Sequence, residues 1–249
     1  MLQVKNRITQ KILATLLLSG LAFIVNAQHL KKEITVPAWK IDYHLDFGPL
    51  EPATASSKEA QEQLVMMEMA KSLSGSSAEA PPLTCYVNKN YIRVEQKGLG
   101  GGITIADKRD TISFLLDSTL KTATKFPAAI PNLQTQLNGD SVVFISSDDF
   151  KVELLKDTMN IAGQHCQKAI FRSPAHPENV ITVWYAPGLP RLYWQKYSYL
   201  KSVPGCALSI GTTTKGLNVG IKADIVKKVS LPESFFLPPA NYAVSESMF

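Results

Sequence analysis

The sequence predicts a mainly β protein, built from one strongly curved antiparallel sheet with a single amphipathic helix as a possible lid. Three observations lead to this fold class. Short apolar segments with strand-forming residues recur between residues 83 and 229. Turn-forming residues separate these segments at short intervals. Only residues 53–73 repeat their apolar side chains at helical spacing, so parallel β-α-β units are excluded.

The first predicted strand, Trp39–Phe47, has two different faces. Its apolar face carries Ile41, Tyr43, Leu45 and Phe47, and its polar face carries Asp42, His44 and Asp46. Two carboxylates and an imidazole in a row could bind a metal ion. The solvent-exposed face of an edge strand would have the same composition, and we favour this second interpretation.

The predicted helix covers residues 53–73 and follows Pro52. Ala60, Leu64 and Met67 recur along it at helical spacing. The methionines of this segment suit an adaptable apolar surface, because the thioether side chain is flexible and polarisable. Binding of Cu(I) by the thioethers is the alternative.

The other predicted strands are short and follow the helix. They are Leu83–Val87, Tyr91–Glu95, Ile103–Ala106, Thr111–Leu116, Ser141–Ser146, Lys151–Asp157, Gln164–Arg172, Val180–Tyr185, Ala207–Thr213 and Leu217–Val229. Asn88–Asn90 and Asp107–Asp110 have the composition of turns, and Pro127–Pro131 forms a linker between two halves of the chain.

Residues 1–27 have the three parts of a cleavable secretory signal peptide. Three cations precede the apolar segment Ile12–Val25, and Val25-Asn26-Ala27 provides the small residues that a signal peptidase requires. We expect cleavage after Ala27 and a single mature domain, residues 28–249, that is soluble in the periplasm or secreted. An uncleaved membrane anchor is the alternative.

The charge of the chain changes when this leader is removed. Of the 26 lysines and arginines, 23 stay in the mature chain beside 21 acidic residues, which leaves a net charge of +2. The pI of about 9.0 therefore belongs partly to the leader. Because the mature chain is nearly neutral and has no basic stripe, we expect no nucleic-acid partner.

Cys85, Cys166 and Cys206 would face an oxidising compartment after export. One disulfide and one free thiol is the natural arrangement of three cysteines there. We favour a Cys166–Cys206 disulfide, since both residues lie on predicted strands of the C-terminal half. The alternative is three buried thiols that pack as small apolar side chains.

No motif for catalysis is present. Gly98–Gly102 is rich in glycine, but no helix follows that could receive a phosphate. The chain has no Gly-Xaa-Ser-Xaa-Gly elbow, and its four histidines form no recognisable catalytic pattern. We therefore expect a protein that is not an enzyme and has no cofactor.

Four segments carry a resemblance to known families: Ile161–Lys168, Val183–Pro187, Val203–Leu208 and Phe235–Tyr242. In this order they resemble the motifs of exported uncharacterised β-proteins of the DUF4412 type, written I-x-G-x-x-C-x-K, W, P-G-x-x-L and F-x-x-P-x-x-Y. The third segment is also similar to the GLPGLI family signature, although the first glycine is absent and Cys206 replaces an aliphatic residue. Its Pro204-Gly205 pair would fix one φ angle and free the next, which starts a strand after a sharp turn.

The resemblance implies a half-barrel like that of periplasmic lipoprotein carriers, with the helix over a concave apolar face. The side chains expected at such a ligand cavity are Leu64, Met66, Met67, Tyr193 and Trp194. Ordinary core packing is the alternative for each of them. We therefore expect a non-catalytic exported binding protein for an apolar or lipid-like ligand. The alternative is an envelope scaffold whose partner is another envelope protein.

Overall fold

The structure of the chain is a computed structural model that describes residues 33–47, 65, 68, 81–98, 101–110, 112–127, 134–138, 141–145, 150–173, 180–214 and 217–246. Contacts between Cα atoms group Val36–Phe249 into one compact unit. Met1–Thr35 form a second unit, of which residues 33–35 are described. No helix in the described ranges has the length and apolar character needed to cross a membrane.

The elements whose bounds are described are strands and two short 3-10 helices. The strands are β1 (Thr35–Phe47), β2 (Leu83–Val87), β3 (Tyr91–Gln96), β4 (Gly102–Asp107), β5 (Ile112–Asp117), β6 (Thr122–Pro127), β7 (Gln134–Asn138), β8 (Ser141–Ile145), β9 (Lys151–Ile161), β10 (Gln164–Arg172), β11 (Val180–Ala186), β12 (Cys206–Thr214), β13 (Leu217–Pro232) and β14 (Ala243–Glu246). The 3-10 helices are Gln195–Ser202 and Glu233–Phe236.

Twelve strands form one open sheet in the order β14-β6-β5-β4-β3-β2-β1-β13-β12-β11-β10-β9. Within β1–β6 and within β9–β13, consecutive strands are antiparallel neighbours. The two runs meet where β1 lies beside β13. β14 differs from the others because it pairs with β6 in parallel. β7 and β8 form a separate hairpin.

The mainly β fold predicted from the sequence is confirmed. β2 and β10 have the predicted bounds, and the other predicted strands differ by a few residues at their ends. β6, β7 and β14 were not predicted. All four residues of β14 are exposed, and this strand is held in place by its pairing with β6.

The predicted helix, residues 53–73, lies outside the described residues except for Val65 and Glu68, which are helical and exposed.

The main core lies on one face of the sheet. Ile41 pairs with Cys85 and Cys85 pairs with Val94, so these side chains share that face. The same apolar cluster includes residues of β10, β11 and β12 from the second run. The Tyr43 hydroxyl donates a hydrogen bond of 2.6 Å to the carbonyl oxygen of Ala207. Because β13 lies between β1 and β12, this bond ties the two runs together across an intervening strand.

The C-terminal segment covers part of the opposite face. Phe235 meets Tyr86 edge-on with the ring centroids 4.9 Å apart, and Phe236 stacks on Tyr91 at 5.5 Å. Tyr242 packs against a further apolar cluster formed by β4, β5 and β6. The segment Phe235–Tyr242 therefore supplies the aromatic side chains that shield part of this second face from water.

The polar face of β1 is partly buried because β1 lies in the middle of the sheet. Asp42 is only 6% exposed. Its carboxylate accepts a hydrogen bond of 2.7 Å from the Thr84 hydroxyl and lies 2.7 Å from Lys40 Nζ. The prediction of a solvent-exposed edge-strand face is therefore wrong at Asp42.

Close approach of backbone atoms explains two glycines. A Cβ atom at Gly205 would overlap the carbonyl oxygen of Ala186, and a Cβ atom at Gly220 would overlap that of Ile210. Pro204-Gly205 does precede β12 as predicted. The reason is different, however, because Gly205 does not adopt a positive φ. Glycine is needed there for space rather than for backbone freedom.

We expect Gly205→Ala to lower the free energy of unfolding by about 1–3 kcal/mol, because the added methyl group must displace backbone of β11. Gly211→Ala is the matched control, since a Cβ atom there meets nothing within 4 Å. The control should change stability by no more than about 0.5 kcal/mol. Urea unfolding of both variants measures the difference, and equal midpoints would contradict the close-approach explanation.

Candidate functional site

The described residues line a cleft with a volume of about 540 Å³. Its wall combines one residue of β1 with residues from two turns and from the segment that follows β11. The lining residues are Trp39, Lys89, Lys108, Gly188, Leu189, Pro190, Arg191, Tyr193 and Lys201. Four of these nine residues are cationic and none is acidic, so the cleft has a strongly positive lining.

The turn between β2 and β3 presents Lys89. Asn88 fixes this turn, because its side-chain oxygen accepts hydrogen bonds from the backbone N–H groups of Asn90 (2.8 Å) and Tyr91 (2.7 Å). This is the local hydrogen bonding that favours asparagine in turns. Lys89 lies at the tip of this turn, and its side chain is exposed.

The turn between β4 and β5 presents Lys108. Its backbone N–H donates a hydrogen bond of 2.8 Å to the carbonyl oxygen of Asn90. Its side-chain Nζ donates to the carbonyl oxygens of Asn88 (2.7 Å) and Arg191 (2.6 Å). Lys108 therefore connects three segments of chain, and its ammonium group is held in one place.

The segment after β11 alternates between buried and exposed side chains. Leu189, Leu192 and Trp194 are each no more than 5% exposed and anchor the segment in the core. Arg191 is exposed and Tyr193 is half-buried, and both line the cleft. The anchors thus hold the backbone that carries Arg191 and Tyr193.

Burial lowers the pKa of Lys108 to about 8. Interaction with the Cys206 thiol opposes this decrease, and the nearby Arg191 guanidinium adds to it. Within the described residues, no carboxylate pairs with Lys89, Lys108 or Arg191. Lys228 on β13 lies close to one of the lining residues, with its Nζ 5.3 Å from the centroid of the Trp39 ring.

The structure separates the residues that the sequence predicts for a ligand cavity. Tyr193 lines the cleft, whereas Trp194 is 4% exposed and belongs to the core. Leu64, Met66 and Met67 lie outside the described residues. The lining cations escape sequence-based prediction because they come from separate parts of the chain. The local signal is a lysine within each of two turn sequences.

The possible metal ligands on β1 have other partners. Asp42 interacts with Thr84 and Lys40, and His44 Nδ1 lies 2.8 Å from a carboxylate oxygen of Asp224. Asp46 is half-buried near the end of β1. In the described part of the chain, no group of three or more His, Cys, Asp or Glu side chains is arranged to hold a metal ion.

All three cysteines are buried free thiols, so the favoured Cys166–Cys206 disulfide is not found. Burial raises the pKa of each thiol, to about 12 for Cys206. Because the thiolate is the reactive form of cysteine, we expect these thiols to react slowly in the folded chain. The arrangement corresponds to the alternative in which cysteines pack as small apolar side chains.

Comparisons with known proteins identify similar solved structures only. No protein-family model matches the sequence, and no curated protein matches it. PNGF-II aligns with 85% of this chain at 13% identity and a TM-score of 0.46, and the chain spans 31% of the length of PNGF-II. An uncharacterized conserved protein from Thermus thermophilus aligns with 66% of this chain and 81% of its own length, at 12% identity and a TM-score of 0.39.

A DUF1329 family protein from Desulfovibrio piger aligns with 88% of this chain and 95% of its own length, at 11% identity and a TM-score of 0.20. At these identities the similarities carry no information on ligands or activity.

We expect no cysteine of the folded protein to react with iodoacetamide at mildly alkaline pH, because burial keeps the thiols protonated and shielded. In concentrated urea without reductant, mass spectrometry should count three labels on each chain. A single label under these unfolding conditions would instead reveal a disulfide.

Proposed function

We propose that the protein is a non-catalytic binding protein and that the cleft is its ligand site. The observation that carries this proposal is the lining itself, which joins the half-buried rings of Trp39 and Tyr193 to four cations, of which Lys108 is held by two backbone carbonyl oxygens. The volume falls within the range of about 300–1,000 Å³ that is typical of small-molecule sites. The lining residues that the structure describes are cationic, aromatic or aliphatic apart from Gly188, and such side chains supply charge and apolar contact to a bound ligand.

The ligand that we propose has an apolar or lipid-like body. Leu189 and Pro190 lie beside the two aromatic rings, so about half of the lining residues offer apolar contact. Such a surface suits the hydrocarbon part of a ligand, because its burial removes apolar area from water.

Export and family membership are part of the same proposal. We propose an exported protein of the DUF4412 or GLPGLI type with a half-barrel similar to that of lipoprotein carriers. The open sheet supports this proposal, as does the position of the Phe235–Tyr242 motif as the cover of one sheet face. The three-part leader in residues 1–27 supports export.

An envelope scaffold is the second candidate function, and the edge strand β9 favours it. Leu154 and Met159 on this strand are 51% and 40% exposed. An edge strand with exposed apolar side chains offers both backbone hydrogen bonds and apolar contacts to a partner protein.

We expect the mature protein to bind the neutral apolar probe N-phenyl-1-naphthylamine in the cleft and to enhance its fluorescence. Tyr193→Ala should weaken this binding about tenfold, because one aromatic contact is lost. Tyr242→Ala is the matched control, since it removes a half-buried tyrosine that packs on another part of the sheet. The control should leave the affinity for the probe unchanged.

Saturable binding that Tyr193→Ala weakens would support the cleft as the ligand site. Absence of saturable binding, or equal effects of the two substitutions, would contradict it and favour the scaffold. Urea unfolding of both variants ensures that the comparison is made between folded proteins.

We expect full-length protein expressed in a Gram-negative host to be recovered from the periplasm with Gln28 as its first residue. The physical reason is that the apolar segment is shorter than a stable membrane span, while Ala27 is small enough for the peptidase. Intact-mass measurement gives the N-terminus directly. Replacing Ala27 with a bulky residue (Ala27→Leu) is the control and should block cleavage; a mature chain that keeps residues 1–27 would contradict the proposal.

A further inference from the structure

The cations of the cleft converge from separate parts of the chain. Lys89 comes from the β2–β3 turn, Lys108 from the β4–β5 turn, Arg191 from the segment after β11, and Lys201 from a 3-10 helix. The mature chain is close to electrically neutral, with 23 cationic and 21 acidic residues. Four cations among the nine lining residues that the structure describes therefore exceed what the composition provides on average.

Lys108 is the best-defined member of this group. Its ammonium carries three N–H donors, and two of them are directed at the carbonyl oxygens of Asn88 and Arg191. Among the described residues these are the acceptors found for Nζ, which leaves the third N–H for a ligand. Half-burying an ammonium group without a carboxylate partner costs free energy, and an anion bound beside it would offset that cost.

The apolar part of the lining lies within the same cleft. Trp39 and Tyr193 offer ring surfaces, and Lys228 approaches the Trp39 ring from β13. A ligand that fits both parts combines an acid group with an apolar body.

We propose that this cleft recognises an oxyanion, a carboxylate, sulfate or phosphate group, through Lys108 and Arg191, and that the apolar body of the ligand lies against Trp39 and Tyr193. This inference rests on the proposed function, because it assumes that the cleft binds a ligand. It adds the chemical class of that ligand, an anionic amphiphile.

The test uses calorimetric titration of the mature protein with octanoate and octanol, which share a hydrocarbon chain and differ in the acid group. We expect octanoate to bind at least about tenfold more tightly than octanol. Arg191→Gln should lower the affinity for octanoate about three- to tenfold and leave that for octanol unchanged. Lys227→Gln is the matched control, since it removes an exposed cation of β13 that does not line the cleft.

Lys108→Met should have a larger effect than Arg191→Gln, because it removes the fixed ammonium group. If this variant fails to fold, the pH dependence of the unaltered protein provides the same information. The titratable and charged groups around Lys108 are the Arg191 guanidinium and the Cys206 thiol, which act on its pKa, and the Lys89 and Lys201 side chains of the same lining. We expect the affinity for octanoate to fall from about pH 7 to about pH 9, as Lys108 loses its proton.

Inorganic phosphate and sulfate distinguish the two sources of an oxyanion. Tighter binding of octanoate than of either inorganic ion would support an amphiphilic ligand. Tighter binding of phosphate or sulfate would support the oxyanion site but indicate that its ligand is a free anion. Equal affinities for octanoate and octanol, with no effect of Arg191→Gln, would overturn the inference and leave the binding function intact. Failure of both compounds and of the neutral probe to bind would overturn the proposed function itself.

Discussion

The contact between β1 and β13 holds two separate runs of strands in one sheet. Each run is a simple succession of antiparallel neighbours, and neither could bury its apolar face alone. At the junction the Tyr43 hydroxyl bonds to the carbonyl oxygen of Ala207, and side chains of both runs form one apolar cluster. The cleft depends on the same contact, because Lys108 belongs to the first run while Arg191 belongs to the second.

The sequence predicts the individual strands well because each strand is specified by local alternation and local turns. β2 and β10 show this most clearly, since the residues at their ends match the predicted bounds. Position within the sheet is not a local property. Asp42 looks like a residue on an exposed edge, yet β1 becomes a central strand only through β13, which lies far along the chain. The stacking of Phe236 on Tyr91 could not be predicted for the same reason, because the two residues lie far apart in the sequence.

The candidate site is less predictable than the fold for a related reason. Tyr193 and Trp194 are adjacent and chemically similar in sequence, but only the first lines the cleft. The alternation of buried anchors around them decides which ring faces outward. The cations have no common motif, because Lys108 and Arg191 meet only when a turn of the first run reaches a loop of the second. The half-buried ammonium group of Lys108 has lost part of its hydration, which destabilises the folded chain. Such unfavourable features often mark a binding site.

The arrangement of the strands also determines the order in which the fold can assemble during synthesis. The centre of the sheet requires β1 and β13, and the cover over Tyr86 and Tyr91 requires Phe235 and Phe236 from near the end of the chain. Because the N-terminus is synthesised first, the β1–β6 run can form early. Both faces of that run stay exposed to solvent until the C-terminal strands have been synthesised. Folding is therefore dominated by contacts between residues far apart in sequence, which makes it slow. During this interval the uncovered aromatic and aliphatic side chains are available for aggregation, so productive folding of this chain favours an environment that contains chaperones.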